Sequence, residues 1–296
     1  MADRVIQTDV LVRGLTFSPQ GDTLSGVGTD GKIRVWNVGS GKLIRTIPID
    51  DKGRAFTVAP GAERIASFGT EKGLRMWDAT TGQTNREFDI AGMRQGALTF
   101  SRDASALATS SADKKVRIWD TATGKEQVAV NGGLGGAMGT AFSPDGAMFV
   151  AADSDTNVRV WNTKNGEILR IIEELPVAMF ALAFSPDGKY LASAGVDRTL
   201  YLWDAKTWKL VRKLPGQEEM ISCLAISPDG RLIVTGGFND ISSKMAVSIL
   251  IRDMASGKVL RTMSSSNRVN STVFSPDGKL VATANLDKAV SLWSVP

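Results

Sequence analysis

The sequence predicts an all-β protein built of seven repeated four-stranded antiparallel units, and two observations predict it. A Phe-Ser-Pro-Asp-Gly-like turn recurs with anchors at Phe17, Val58, Phe100, Phe142, Phe184, Ile226 and Phe274, spaced 41, 42, 42, 42, 42 and 48 residues apart. A Trp-Asp-like dipeptide follows nineteen residues after each anchor, at Trp36, Trp77, Trp119, Trp161, Trp203 and Trp293, while the sixth copy has Arg252 there after 26 residues. Seven copies of one unit fill almost the whole chain, the signature of a repeat architecture.

The elements of one unit are clearest from Phe180 to Leu214. FALAFS, KYLASAG, TLYLWD and KLVRKL are strand-length, alternate in hydrophobicity and are rich in β-branched or aromatic residues. Between the first two strands, SPDG places Ser first, Pro where φ near −65° is wanted, then Asp and Gly, which suits a type I turn. A unit of about forty residues cannot bury both of its faces alone, so the copies stack, and four-stranded sheets repeated radially make a propeller. The last copy ends at AVSLWSVP after a third strand, and residues 3–10, DRVIQTDV, resemble the fourth strands KLIRTIPI and KLVRKLPG. The amino-terminal strand is therefore predicted to complete blade seven and close the ring.

With these residues the chain resembles a seven-bladed WD-repeat β-propeller over its entire length. Asp78, Asp120 and Asp204 follow their Trp, and acids stand in the turns between strands two and three at Asp30, Glu71, Asp113, Asp155, Asp197 and Asp287. The resemblance implies that each turn acid hydrogen-bonds within its blade to a His before strand one, a Ser or Thr on strand two, and the Trp. Ser67, Thr109, Ser193, Thr235 and Thr283 match the hydroxyl position, whereas Gly26 and Ala151 do not, and the chain contains no His. Gln217 is the nearest replacement for the missing His. The SPDGK-type turns resemble those of bacterial members of the family, many of which are attached to other domains. The resemblance also implies a non-catalytic scaffold that binds a protein or peptide, as a sensor or assembly part.

Composition fits one propeller domain over residues 1–296: 43% of the residues are apolar, and no linker interrupts the repeats. The start, MADRVIQ, lacks an apolar signal-peptide core and no run of about 18 apolar residues occurs, so a cytoplasmic protein without a membrane span is expected. A closed ring needs no second subunit, and a monomer is expected. The lone Cys223 reads as a small buried strand residue. Absence of His excludes Ser-His-Asp and Cys-His catalysis and the usual nitrogen-ligand metal sites. No cofactor, metal site or catalytic residue is expected. Two alternatives stay open: a propeller enzyme using carboxylates and calcium on a small molecule, and a purely architectural spacer. The net charge of +4 is modest and the basic residues lack interleaved aromatics, which argues against nucleic acid. NGGLGGAMG, residues 131–139, precedes a strand rather than a helix and reads as a connection between blades, not a phosphate loop.

Positions that repeat serve the blade, and positions that differ among copies are free to serve a partner. Before strand one, near the channel mouth, blades seven, one, two and three bring Arg268, Arg13, Lys52, Arg54 and Arg94, while blades four to six bring Met138, Met179, Phe180 and Met220. Seven extra residues in blade six, within GGFNDISSKMAV, place Phe238 on the same face. Adaptable Met, an aromatic anchor and flanking Arg are what a peptide-recognition surface uses. The expected partner-binding set is therefore Arg13, Arg54, Arg94, Met138, Met179, Phe180, Met220, Phe238 and Arg268, with the basic half receiving an acidic peptide segment.

Overall fold

Each repeat folds into one antiparallel four-stranded sheet in the computed structural model, which describes residues 2–49, 55–69, 73–88, 90, 97–111, 113–132, 139–153, 155–173, 175–239 and 246–296. Blade one runs Val12–Phe17, Thr23–Gly28, Lys32–Asn37 and Leu43–Pro48, with sequential strands paired in order. Blades two to six repeat this plan from Ala55–Val58, Leu98–Phe100, Gly139–Phe142, Met179–Phe184 and Met220–Ile226 as first strands. Blade seven is Val269–Phe274, Leu280–Asn285 and Ala289–Ser294, and its outer strand is Arg4–Gln7. The seven first strands contact one another in sequence, and the last contacts the first, so they line a closed ring around a central channel.

Ring closure follows from the register of the amino-terminal strand. Arg4 lies opposite Leu292 and Gln7 opposite Ala289, which turns Ile6 into a core that holds Val12, Leu15 and Trp36 of blade one and Ala282, Val290 and Leu292 of blade seven. Hydrogen bonds from Asp3 N to Leu292 O (3.0 Å) and from Thr8 N to Lys288 O (2.8 Å) extend the pairing at both ends.

The recurring turns are built as their residues dictate. In blade four Gly146 N donates to Ser143 O at 2.9 Å, the i to i+3 bond of a β-turn, and Gly146 takes φ of +70°. Ser143 Oγ donates to Asp145 and accepts from Met148 N, so the side chains of the turn also satisfy its backbone. Where an acid follows the Trp it caps the next turn: Asp78 Oδ1 accepts from Thr80 N, Thr81 N and Thr81 Oγ1.

Packing between blades is carried by the strand-three Trp, which lies against the preceding blade. Trp77 packs on Val27, Ile33 and Ile47, Trp161 on Val116 and Ile118, and Trp203 on Val158 and Val160. Truncating such a buried ring typically costs about 3 to 5 kcal/mol, so these contacts dominate the cohesion of the ring. Arginines on outer strands add a second clamp: Arg4 donates to Val38 O (2.7 Å) and Arg212 to Ser256 O (2.8 Å), each on the strand-three-to-four turn of the next blade.

The internal brace of each blade differs from the one the family resemblance implies, and this is a correction. The turn acids Asp30, Asp113 and Asp155 pair with the Arg two residues before the Trp, namely Arg34, Arg117 and Arg159. Arg34 binds both oxygens of Asp30 at 3.0 and 2.9 Å and also reaches Asp9 at 2.8 Å. In blade five Tyr201 takes the place of Arg and donates to Asp197 at 2.5 Å. In blades one, three, four and five the missing His is thus replaced from strand three of the same blade. The strand-two hydroxyls accept from Trp as the resemblance implies, Trp77 Nε1 to Ser67 at 2.7 Å and Trp203 Nε1 to Ser193 at 2.9 Å. Trp161, whose blade has Ala151 at the hydroxyl position, has a buried Nε1 with no partner among the described residues.

Candidate functional site at the upper channel mouth

At the end of the channel where first strands begin, a cavity of about 690 Å³ opens. Its lining includes Leu11 and Arg13 of blade one, Phe56 of blade two, Phe180 of blade five, Ser222 and Cys223 of blade six, and Arg268, Asn270 and Leu286 of blade seven. The deeper wall is formed by consecutive first-strand residues, such as Phe180, Ala181 and Leu182 or Ser222, Cys223 and Leu224, most of them small or apolar.

Burial corrects one sequence expectation. Met179 and Phe180 are adjacent on the first strand of blade five, and only Phe180 reaches the mouth. Phe180 lines it, half-buried, whereas Met179 is 1% exposed and packed among Val160, Leu182 and Leu191, so Met179 belongs to the core and not to a binding surface.

The remaining predicted residues divide into those that the fold gathers and those outside the described set. Phe180 and Phe238 lie with ring centroids 6.1 Å apart, and the Arg268 guanidinium sits over the Phe238 ring at 4.3 Å. Blades five, six and seven therefore contribute one side chain each to a continuous aromatic and cationic shelf. Arg13 stands at the mouth from blade one, exposed. Met220 is half-buried and paired in register with Phe238, beside the shelf rather than in the cavity lining. Arg54, Arg94, Met138 and Lys52 lie outside the described residues, as does most of the blade-six insertion after Asn239.

Two glycines hold the shelf in place. A Cβ on Gly195 would collide with Ala178 O, and one on Gly237 with Met220 O, so strand two of each blade accepts the backbone just before strand one at a distance only Gly permits. This close approach sets Phe180 on one blade and Phe238, next to Gly237, on the other.

The electrostatics of the mouth are cationic. Among the described residues of the lining there are two arginines and no Asp or Glu. Burial against its neighbours pulls the Arg268 guanidinium below its ordinary value, and the like charge of Arg13 acts in the same direction. Burial likewise pushes the Cys223 thiol up to about 12, so this thiol is an inert wall residue, as the sequence predicts. Leu286, 41% exposed at the mouth, was missed by the sequence reading. Its signal was available: the residue before the turn acid is Thr29, Thr70, Ala112, Ser154, Val196 and Leu286 in turn, a position that diverges among copies.

The opposite mouth is built differently. A cavity of about 630 Å³ there is lined by Pro19, Pro60, Pro144, Pro186, Pro228 and Pro276, one from each turn, with Arg102 at the seventh position. Arg102 donates to Pro186 O at 3.4 Å across two blades. Six of seven positions repeat, so this end mostly records how the blades are made.

Blade six supplies a local substitute for what it lacks. Thr235 Oγ1 donates to Gln217 Oε1 at 2.7 Å, Gln217 Nε2 donates to Ser248 O at 3.3 Å, and Glu219 accepts from Ser248 N at 2.9 Å. Gln217 thus occupies the role that the sequence assigned to it. Arg252, 5% exposed in place of the Trp, donates to Pro215 O (3.1 Å) and Gly257 O (3.4 Å), and burial lowers its pKa.

Residues 6–37, 95–120, 132–162, 175–204, 208–241 and 257–294 match the family model described as WD domain, G-beta repeat. No curated protein matches the chain. The unmatched stretch between the first two matches contains blade two, whose anchor turn reads VAPGA in place of FSPDG, yet it forms the same four-stranded sheet. Well over half of the sequence is matched and all seven sheets share one plan, so the chain belongs to the WD domain, G-beta repeat family.

Proposed function

We propose that the protein is a non-catalytic scaffold that holds a protein or peptide segment at the upper channel mouth, as an interaction or sensor part of a larger assembly. The observation that carries this reading is the shelf of Phe180, Phe238 and Arg268, drawn from three successive blades at positions where the repeats diverge. Aromatic and Arg side chains beside an open concavity are the residue types that dominate binding energy at protein interfaces. The carboxylate-and-calcium alternative needs acids facing the channel, and the described lining offers none. The spacer alternative predicts a featureless mouth, whereas the upper mouth is more varied than the lower.

Affinity capture from native extract tests the reading, with wild type compared against a Phe180→Asp, Arg268→Glu double variant and against Arg102→Glu at the lower mouth. A partner retained by wild type and by Arg102→Glu, and lost from the double variant, supports it. Equal capture by all three moves the site away from the upper mouth. No helix among the described residues is long and apolar enough to cross a membrane. The reading carries with it a monomer acting in the cytoplasm, which sedimentation and cell fractionation check.

A further inference from the structure

We propose that Arg268 is a carboxylate subsite within the upper mouth, and that the segment received there presents an acidic group directly beside an aromatic or aliphatic side chain. This deepens the binding reading above and rests on it.

The argument starts from how arginines are used elsewhere in the ring. Arg34, Arg117 and Arg159 are matched to turn acids, and Arg4 and Arg212 donate to carbonyls of the next blade. The Arg268 guanidinium has no hydrogen-bond acceptor and no carboxylate partner among the described residues; its backbone N donates to Asn267 Oδ1 and its backbone O accepts from Leu286 N. Its one side-chain contact of this kind is with the Phe238 ring, 4.3 Å below the guanidinium carbon.

Stacking on an aromatic face has a geometric consequence. A ring 4.3 Å from the guanidinium carbon occupies one side of the group and restricts its motion, while its N–H donors have no acceptor among the described residues. A carboxylate is the planar group that such a fork binds with two parallel hydrogen bonds. Partial desolvation by Phe238 strengthens that attraction, and Arg13 adds positive potential from the neighbouring blade. Phe180, at 6.1 Å from Phe238, and the exposed Leu286 provide apolar surface at the same mouth for a side chain of the ligand.

Internal comparison separates this from a structural role. The position six residues before the anchor is Leu11, Lys52, Arg94, Gly136, Ala178, Met220 and Arg268 in blades one to seven. A residue that the blade needed would recur there, as the strand-three Arg does.

The experiment uses the full chain labelled with 15N, reading the Arg268 Nε–Hε signal, assigned from its loss in Arg268→Gln. Three probes are titrated: N-acetyl-phenylalanine, which has a terminal carboxylate; acetyl-Phe-Asp-amide, which has a side-chain carboxylate; and neutral N-acetyl-phenylalaninamide. At least one carboxylated probe is expected to bind roughly tenfold more tightly than the neutral one. That advantage should vanish in Arg268→Gln and fall to an intermediate value in Arg268→Lys, which keeps the charge but loses the fork. The better carboxylated probe identifies the source as a chain terminus or an acidic side chain. Equal binding of charged and neutral probes, or an advantage that survives Arg268→Gln, overturns the subsite while leaving the mouth a peptide site. Signals at the mouth that no probe moves also overturn it, and the wider reading falls with it only if the capture comparison shows no loss in the double variant.

Discussion

Blades one to five and blade six solve the same packing problem with different chemistry. In the first group an apolar Trp seals the contact with the preceding blade, and where the acid-pairing residue is Arg34, Arg117, Arg159 or Tyr201 it ties down the turn acid. Blade six has Arg252 at the Trp position and Leu250 where the others have Arg or Tyr, and it is braced instead from the segment before strand one by Gln217 and Glu219. A repeat can therefore lose its signature residues and keep its fold when other buried polar groups, here Gln217 and Glu219, take up the hydrogen bonds. The same blade carries the insertion and contributes Phe238 to the shelf, so the most divergent copy borders the candidate site.

The comparison breaks most sharply at the Trp position. Trp77→Ala is expected to destabilise the protein by about 4 kcal/mol through the cavity it leaves against blade one, measured by denaturant unfolding. Arg252→Met in blade six should instead be neutral or stabilising by about 1 kcal/mol, because it removes a buried cation that has only two carbonyl acceptors. A loss on the scale of the Trp77 variant would show that Arg252 is an equal substitute for Trp.

The acid-pairing Arg comes next. Arg159→Met removes the two guanidinium hydrogen bonds from the partly buried Asp155 carboxylate, which keeps the one from Asn157 N, and should cost about 2 kcal/mol at neutral pH. Burial works to raise the Asp155 carboxyl, and the Arg159 guanidinium together with hydrogen bonds from Asn157 overrides it, so in the native protein its pKa lies below the ordinary 3.8. A depressed folded pKa gives a stabilisation present above 3.8 and lost as pH falls through the lower folded value. In Arg159→Met burial is opposed only by the Asn157 hydrogen bonds, so the depression of the Asp155 carboxyl shrinks. That variant should lose less stability on acidification below pH 3.8 than wild type does, in thermal unfolding.

Blade six is probed by Gln217→Ala, which leaves Thr235 and the Ser248 carbonyl unpaired and should cost about 1 to 2 kcal/mol. The smallest effect is a gain. Ala151→Ser would give Trp161 Nε1 the acceptor that Ser67 and Ser193 provide in their blades, and should stabilise by about 1 kcal/mol. No gain would mean that blade four has no room for the hydroxyl.

Much of this molecule was legible before any coordinates. The spacing of the turns and of the Trp residues determined blade number, strand order and the amino-terminal closure, because a forty-residue unit with two apolar faces has few ways to be covered. Gln217 was legible for the same reason, as the residue at a position whose role recurs. The Asp-x-x-x-Arg-x-Trp spacing of Asp30, Arg34 and Trp36, repeated at Asp113 and Asp155, was present too. The brace that the family resemblance implies runs through His and not through this Arg, so the resemblance does not point to it.

What only the tertiary structure decided was which neighbours in sequence become neighbours across blades. Met179 and Phe180 read as equals in the chain, and the packing sends one into the core and the other to the mouth. The meeting of Phe180, Phe238 and Arg268 joins residues of three blades, and its geometry depends on the tilt of each sheet and on the close approaches at Gly195 and Gly237. Periodicity specifies what every blade shares, since the same local forces act on each copy. A binding shelf is made from the differences between copies, and only the packing of the ring brings those differences to one place.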